Sequence, residues 1–187
     1  MDLPTPNRDK LISKWEHILE WTDHVFTWTS GHELAFLCEV AEKSTSICEV
    51  GSYHGKSALA MALANPNCRI HCIDVFDDAG SEDMFKQNLT LQMNKRQVLL
   101  FRDNSDVIQS FAPDITFDAC FIDGGHLYAD VLKDIENIRP RMRPGGVMMG
   151  HDWRHDKPLD GVNRAVEASF EKYSINVFES IWYVKLP

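Results

Sequence analysis

Ile47-Cys48-Glu49-Val50-Gly51-Ser52-Tyr53-His54-Gly55-Lys56-Ser57, continued by Ala58 to Ala64, is the stretch whose reading decides the fold. A short apolar run ends in an acid, two glycines bracket a polar turn, and an Ala/Leu/Met segment follows at once. This order predicts a strand, a tight turn and a helix. Glycine lets the backbone come close to a ligand, and the free N–H groups of a new helix point at whatever sits there, so the turn suits a nucleotide-like molecule.

Upstream, Asp9 reads as the cap of a helix to about Glu20, with Leu11, Trp15, Ile18 and Leu19 at helical spacing. Met1 to Asn7, with two prolines, reads as a tail or strap. Ser30-Gly31-His32-Glu33 has the spacing of a capping box and predicts a helix to about Glu42. Between the two helices, Trp21, Phe26 and Trp28 either plug the edge of the core or line a ligand site.

Downstream, Ser57 to Leu63 predicts a crossover helix stopped by Asn65-Pro66-Asn67, and Arg69 to Val75 a second strand carrying Asp74. Glu82 to Met93 reads as a helix, Gln97 to Arg102 as a third strand and Ile115 to Ile122 as a fourth. A helix face at Leu127, Val131, Ile135 and Ile138 is closed by a turn over Pro140 to Gly145, and Val147 to Met149 is a fifth strand. Gly161 to Lys172 predicts a last helix; Ile175 to Phe178 and Ile181 to Val184 predict a closing hairpin. Strands alternating with helices and then a hairpin imply an α/β fold. We expect a Rossmann-like, mostly parallel seven-stranded sheet, helices on both faces and an antiparallel C-terminal edge strand. We expect one domain over residues 1–187, with 1–45 as a helical cover and 46–187 as the cofactor-binding core.

The chain has 187 residues, 44% of them hydrophobic, and 28 acids against 19 bases give a net charge of −9. That balance repels polyanions and disfavours nucleic acid, leaving a small molecule or a divalent cation as the easier partner. Five cysteines without a C-x-x-C pair suit buried thiols in the cytoplasm better than disulfides or zinc. No apolar run is long enough to cross a bilayer, so no membrane partner is expected. Aromatic residues in the N-terminal helices permit a homodimer.

Polar residues concentrate where the strands end: Glu49, Asp74, Asp103, Asp123, His126, His151 and Asp152. In an open α/β sheet those ends share one crevice. Asp74, some twenty residues beyond the glycines, is placed to reach the hydroxyls of a ribose. Asp103-Asn104-Ser105 follows the third strand, where polar groups border a base and a helix cap accounts for Ser105 or Asp106 almost as well.

Glu49 with Gly51 and Gly55, Asp74, Phe121-Ile122-Asp123-Gly124-Gly125-His126, and Arg143-Pro144-Gly145-Gly146-Val147 to His151-Asp152 together resemble the class I S-adenosylmethionine-dependent methyltransferases. The similarity is greatest to the small branch related to metal-dependent O-methyltransferases and covers about residues 45 to 187. It implies that Glu49, Gly51, Ser52, Tyr53, Gly55, Ser57 and Asp74 hold the cofactor S-adenosyl-L-methionine, Glu49 anchoring its ammonium and Asp74 its ribose. Asp103, Asn104, Ser105 and Asp123 would complete that site. It also implies a divalent cation, magnesium or manganese, on Asp123, His151 and Asp152, with His126 as the base that takes the substrate proton. Imidazole at His151 suits manganese, iron or zinc better than magnesium, or His151 stands outside the ligand set.

The turn itself departs from the fuller pattern: G-S-Y-H-G keeps only the outer glycines, so the Tyr53 and His54 side chains either contact the cofactor or point away. The reading that follows is an O-methyltransferase acting on a small-molecule hydroxyl. A non-catalytic protein of the same fold and a nicotinamide-dependent oxidoreductase are the alternatives.

Overall fold

The computed structural model describes residues 7–154, 156 and 160–187. The tail or strap expected over Met1 to Asn7 therefore falls almost wholly outside the described residues. Two helices, α1 (Arg8–Thr22) and α2 (Gly31–Glu42), precede the opening strand β1 (Ser46–Val50). The cap of α1 is Asn7, whose carboxamide oxygen accepts from Lys10 N–H at 3.0 Å, and not Asp9, which lies within the first turn. The capping box of α2 forms as expected: Ser30 N–H donates to Glu33 and Glu33 N–H to Ser30 Oγ.

After β1 come α3 (Lys56–Ala64), β2 (Arg69–Asp74), α4 (Ser81–Asn94), β3 (Val98–Arg102) and β4 (Phe117–Ile122), with a 3-10 turn over Ser105–Ser110. Then follow α5 (Tyr128–Ile138), β5 (Met142–Gly150), α6 (Gly161–Ser169), β6 (Asn176–Phe178) and β7 (Ile181–Lys185). Two boundaries differ from expectation by three residues or more. The Pro140 to Gly145 turn is shorter, because β5 already starts at Met142 and absorbs Arg143-Pro144-Gly145 at an irregularity in its pairing with β4. Helix α6 stops at Ser169, three residues early.

The strand order is β3-β2-β1-β4-β5-β7-β6. β1 to β5 pair in parallel, and β7 runs antiparallel to both β5 and β6. The expected C-terminal hairpin thus has β7 slotted against β5, with β6 outermost. Because the chain leaves β1 toward β2 and later returns to β4 on the other side, the crevice beyond β1 and β4 is the place where an open sheet binds ligands.

Alternating strand residues feed two cores. Ile47, Cys72 and Phe121 pack under α1 to α4, whereas Cys48, Ile73 and Ile122 pack under α5 and α6. This two-residue alternation places helices on both faces and leaves only the strand ends open. No helix among the described residues is long and apolar enough to cross a membrane.

His71 on β2 is buried at 3% exposure among Phe101, Phe111 and Phe117, and its Nδ1 has no hydrogen-bond partner among the described residues. Burial pushes its imidazole down to about 4. The unfolded chain, with an ordinary imidazole near 6.5, then binds the proton first, so this group's share of stability is full above pH 6.5 and is lost as pH falls toward 4. His71→Phe should flatten that acid limb: relative to pH 7, the wild type loses about 2 kcal/mol more than the variant at pH 5 in urea denaturation.

Candidate active site

A cavity of about 970 Å³ runs along the carboxyl ends of β1, β2, β4 and β5. One wall is the glycine turn, Gly51 to Ser57; the sides are Asp74 and Asp103 to Ser105; the far end holds Asp123, His126, His151 and Asp152. Of the site residues expected from sequence, only Glu49 fails to line it.

Glu49 has no exposed surface. Its carboxylate lies beneath the turn, accepting hydrogen bonds from Ser52 Oγ at 2.5 Å, Ser57 Oγ at 2.6 Å and Cys72 Sγ at 3.5 Å. Burial raises its proton affinity against those hydrogen bonds. Glu49 thus pins the turn from below through Ser52 and Ser57. Cys72, caught beside it, has its thiol pushed well above the usual range, first by burial and then by the Glu49 charge.

Gly51 has φ 82°, and a Cβ there would lie 2.0 Å from the carbonyl oxygen of Asp123. Glycine is needed because the end of β4 presses on the turn. Tyr53 adopts φ 47° without being glycine, which costs on the order of 1–3 kcal/mol and needs surrounding support. Asp74 supplies it: its Oδ2 accepts from the N–H groups of Ser52 and Tyr53, both at 2.7 Å, and its Oδ1 accepts from Phe76 N–H at 2.7 Å. Tyr53 and His54 both line the cavity, and their rings stack with centroids 3.8 Å apart.

At the far end, His126 Nε2 lies 3.0 Å from Asp152 Oδ2. Asp123, His126 and Asp152 can each aim one ligand atom within 4.8 Å of the others, close enough to hold a metal ion. His151 is not in that group. Its Nδ1 is 3.6 Å from both Asp123 and Asp152, while its Nε2 turns away to Glu33 at 3.3 Å and Ser180 Oγ at 3.0 Å. Of the three metal ligands expected from sequence, this group thus contains Asp123 and Asp152, with His126 as its third member.

The charges follow from this arrangement. Burial works against a proton on His151, but the carboxylates of Asp152 and Glu33 outweigh it and hold the imidazole up at about 10, as a cation. Glu33 is held well below the usual range: hydrogen bonds from His151, Ser180 and Ser30 overcome its burial. Bonds from His126 and His151 likewise hold Asp152 low. His126 is raised by Asp152, and Asp123 is pushed up to about 7, chiefly by burial and also by the neighbouring Asp152 charge.

A family model described as a methyltransferase domain matches residues 48–153, more than half of the chain. The chain belongs to that family. The match displaces the nicotinamide reading of the glycine turn. No curated protein matches the chain. Among solved structures, the methyltransferase fold is shared with a protein assigned as a caffeoyl-CoA O-methyltransferase from Staphylococcus aureus, at 16% identity and TM-score 0.72, covering 97% of this chain and 99% of that one. The O-methyltransferase of Bacillus cereus, solved with S-adenosylhomocysteine, has 18% identity and TM-score 0.67, with 98% and 94% covered. TomG of Streptomyces achromogenes, solved with S-adenosylmethionine and involved in tomaymycin synthesis, has 17% identity and TM-score 0.66, with 97% and 91% covered.

Several residues of this methyltransferase site escaped the sequence reading. Asp130, Lys133 and Asp134 on α5 line the cavity, although they read as the polar face of a helix. Glu33 reads as a cap and nothing more, yet it reaches 147 residues along the chain to Ser180. Only the fold brings that pair together. Removing Glu33 takes the carboxylate from the Nε2 side of a buried imidazole and leaves Asp123 and Asp152 on the Nδ1 side, so Glu33→Ala should cost about 3 kcal/mol in denaturant unfolding at pH 7, against about 1 kcal/mol for Ser30→Ala, which loses a cap alone.

Proposed function

We propose that the protein transfers a methyl group from S-adenosylmethionine to a hydroxyl oxygen of a small molecule, with a divalent cation held by Asp123, His126 and Asp152. One observation carries the reading: the cavity joins the glycine turn and Asp74 at one end to a carboxylate and imidazole cluster at the other. The volume lies within the range for a cofactor-sized ligand, and the acids lining it favour a cation such as a sulfonium. The solved relatives bound to S-adenosylmethionine or S-adenosylhomocysteine support the same choice.

When bound, S-adenosylmethionine supplies an electrophilic methyl group; the acceptor oxygen must approach in line with the C–S bond and lose its proton. Asp74 and the backbone of the turn fix the ribose end. Without the cation, Asp123 is the group suited to accept the proton, because its carboxyl changes state near pH 7; with a cation bound it would be held ionised as a ligand, and the acceptor proton would leave to solvent. The bond to Asp152 raises the proton affinity of His126, which suits it to orient that carboxylate; it would join the ligand set only as the neutral imidazole. Two carboxylates and one imidazole suit manganese as well as magnesium, and a cation there lowers the pKa of a coordinated hydroxyl. Five buried free thiols suit a reducing compartment, so we place the protein in the cytoplasm.

With a small hydroxyl acceptor found by screening with labelled S-adenosylmethionine, Asp123→Asn should lower kcat at least about 100-fold and His126→Ala about tenfold. S-adenosylhomocysteine should bind both variants within a few-fold of wild type by calorimetry; unchanged turnover in Asp123→Asn removes Asp123 from the chemistry. Protons compete with a cation for Asp123, so Mn2+ affinity followed by electron paramagnetic resonance should weaken about tenfold per unit as pH falls below about 7 and level off above it. A flat profile excludes Asp123 as a ligand.

A further inference from the structure

Tyr53 stands where a third glycine would complete the turn, and it keeps the left-handed backbone that glycine adopts freely. Its ring lies flat on His54, at 3.8 Å and 9°. Phe26, from the link between α1 and α2, meets both rings at 6.2 Å, and Trp28 meets Phe26 edge to face at 5.1 Å. Four rings from two distant segments therefore form one continuous wall beside the cavity. Phe26 is 50% exposed and Trp28 82%, so burial in the core does not hold them. Among the described residues no hydrogen bond ties residues 26–29 to the turn. Flanking ties come from Val25, sunk in the core, and from Asp23, 4.0 Å from Lys56. Thr29 is buried and its N–H donates to Thr27 Oγ1 at 3.1 Å, which holds the end of the link; the ring contacts are what join Phe26 and Trp28 to the turn.

We propose that Tyr53 is a specificity-determining residue: its ring, backed by His54, docks the α1–α2 link and so fixes Phe26 and Trp28 as an aromatic wall over the mouth of the cavity, fitted to a flat apolar ligand. Assigning that wall to the methyl acceptor rests on the methyl-transfer reading; the docking itself does not. A strained tyrosine in a position where glycine is free of strain is accounted for by what its side chain holds. Tyr53→Gly then removes strain and anchor together, predicting a molecule whose melting temperature is equal or higher while its aromatic wall is looser.

The test is 19F NMR of the ligand-free full chain labelled with 5-fluorotryptophan, the Trp28 signal being assigned by its loss in Trp28→Phe. In wild type and Tyr53→Phe that signal should sit away from the free-indole position. In Tyr53→Gly and Tyr53→Ala it should move to that position and narrow, while the Trp15 and Trp182 signals, from buried indoles, stay put. With an accepted hydroxyl compound at saturating S-adenosylmethionine, Tyr53→Gly should raise the KM for that compound about tenfold, and Tyr53→Phe should restore it. A Trp28 signal unmoved in Tyr53→Gly, or one that moves equally in Tyr53→Phe, overturns the proposal. If wild type fails to bind S-adenosylhomocysteine in calorimetry, the methyl-transfer reading falls and the docking result is judged by the NMR alone.

Discussion

The backbone contact between the first and fourth strands sets the site. Asp123 N–H donates to Val50 C=O at 2.7 Å, and Gly51 N–H donates to Ile73 C=O at 2.9 Å, so three strand ends are stitched together at the place where the chain order reverses. The Asp123 carbonyl then occupies the space that a side chain at position 51 would need. A single glycine therefore decides how near the cofactor turn lies to the acidic cluster. Everything the site does, from the tilt of the turn to the position of the Asp123 carboxyl, inherits that spacing.

The fold was largely legible because its signals are local. Apolar runs of five or six residues separated by helical periods name the strands, and each turn carries its own glycine, asparagine or proline. The site was legible to the extent that it hangs on strand ends, and Asp74, Asp103, Asp123, His126 and Asp152 do line one cavity. What the sequence does not carry is side-chain direction. Sequence places His151 and Asp152 side by side, but the left-handed backbone of Asp152, at φ 62°, accompanies a divergence in which Asp152 meets His126 while His151 turns inward. No spacing rule encodes that choice, nor the alliance of Glu33 with Ser180 that receives the inward-turned ring.

That alliance joins regions the sequence keeps apart. Glu33 caps α2, accepts from Ser180 in the C-terminal hairpin and faces His151 at the end of β5. The N-terminal helices, placed outside the shared pattern by sequence, are thus wired electrostatically into the acidic cluster. Buried ion pairs gain little over apolar packing, but breaking one is costly, so the network acts more as a constraint on geometry than as a source of stability.

Cys72 has a consequence of another kind. A sulfur nucleophile lies directly beneath a turn read as holding an alkylating agent, hydrogen-bonded to the acid that supports that turn. Thiolates attack such agents; neutral thiols do so poorly. Burial and the negative neighbour keep this sulfur in its neutral form, as burial does for Cys38, Cys68 and Cys120, each pushed to about 12. The same acid that braces the turn thus also adds to burial in disfavouring a reactive thiolate beside it.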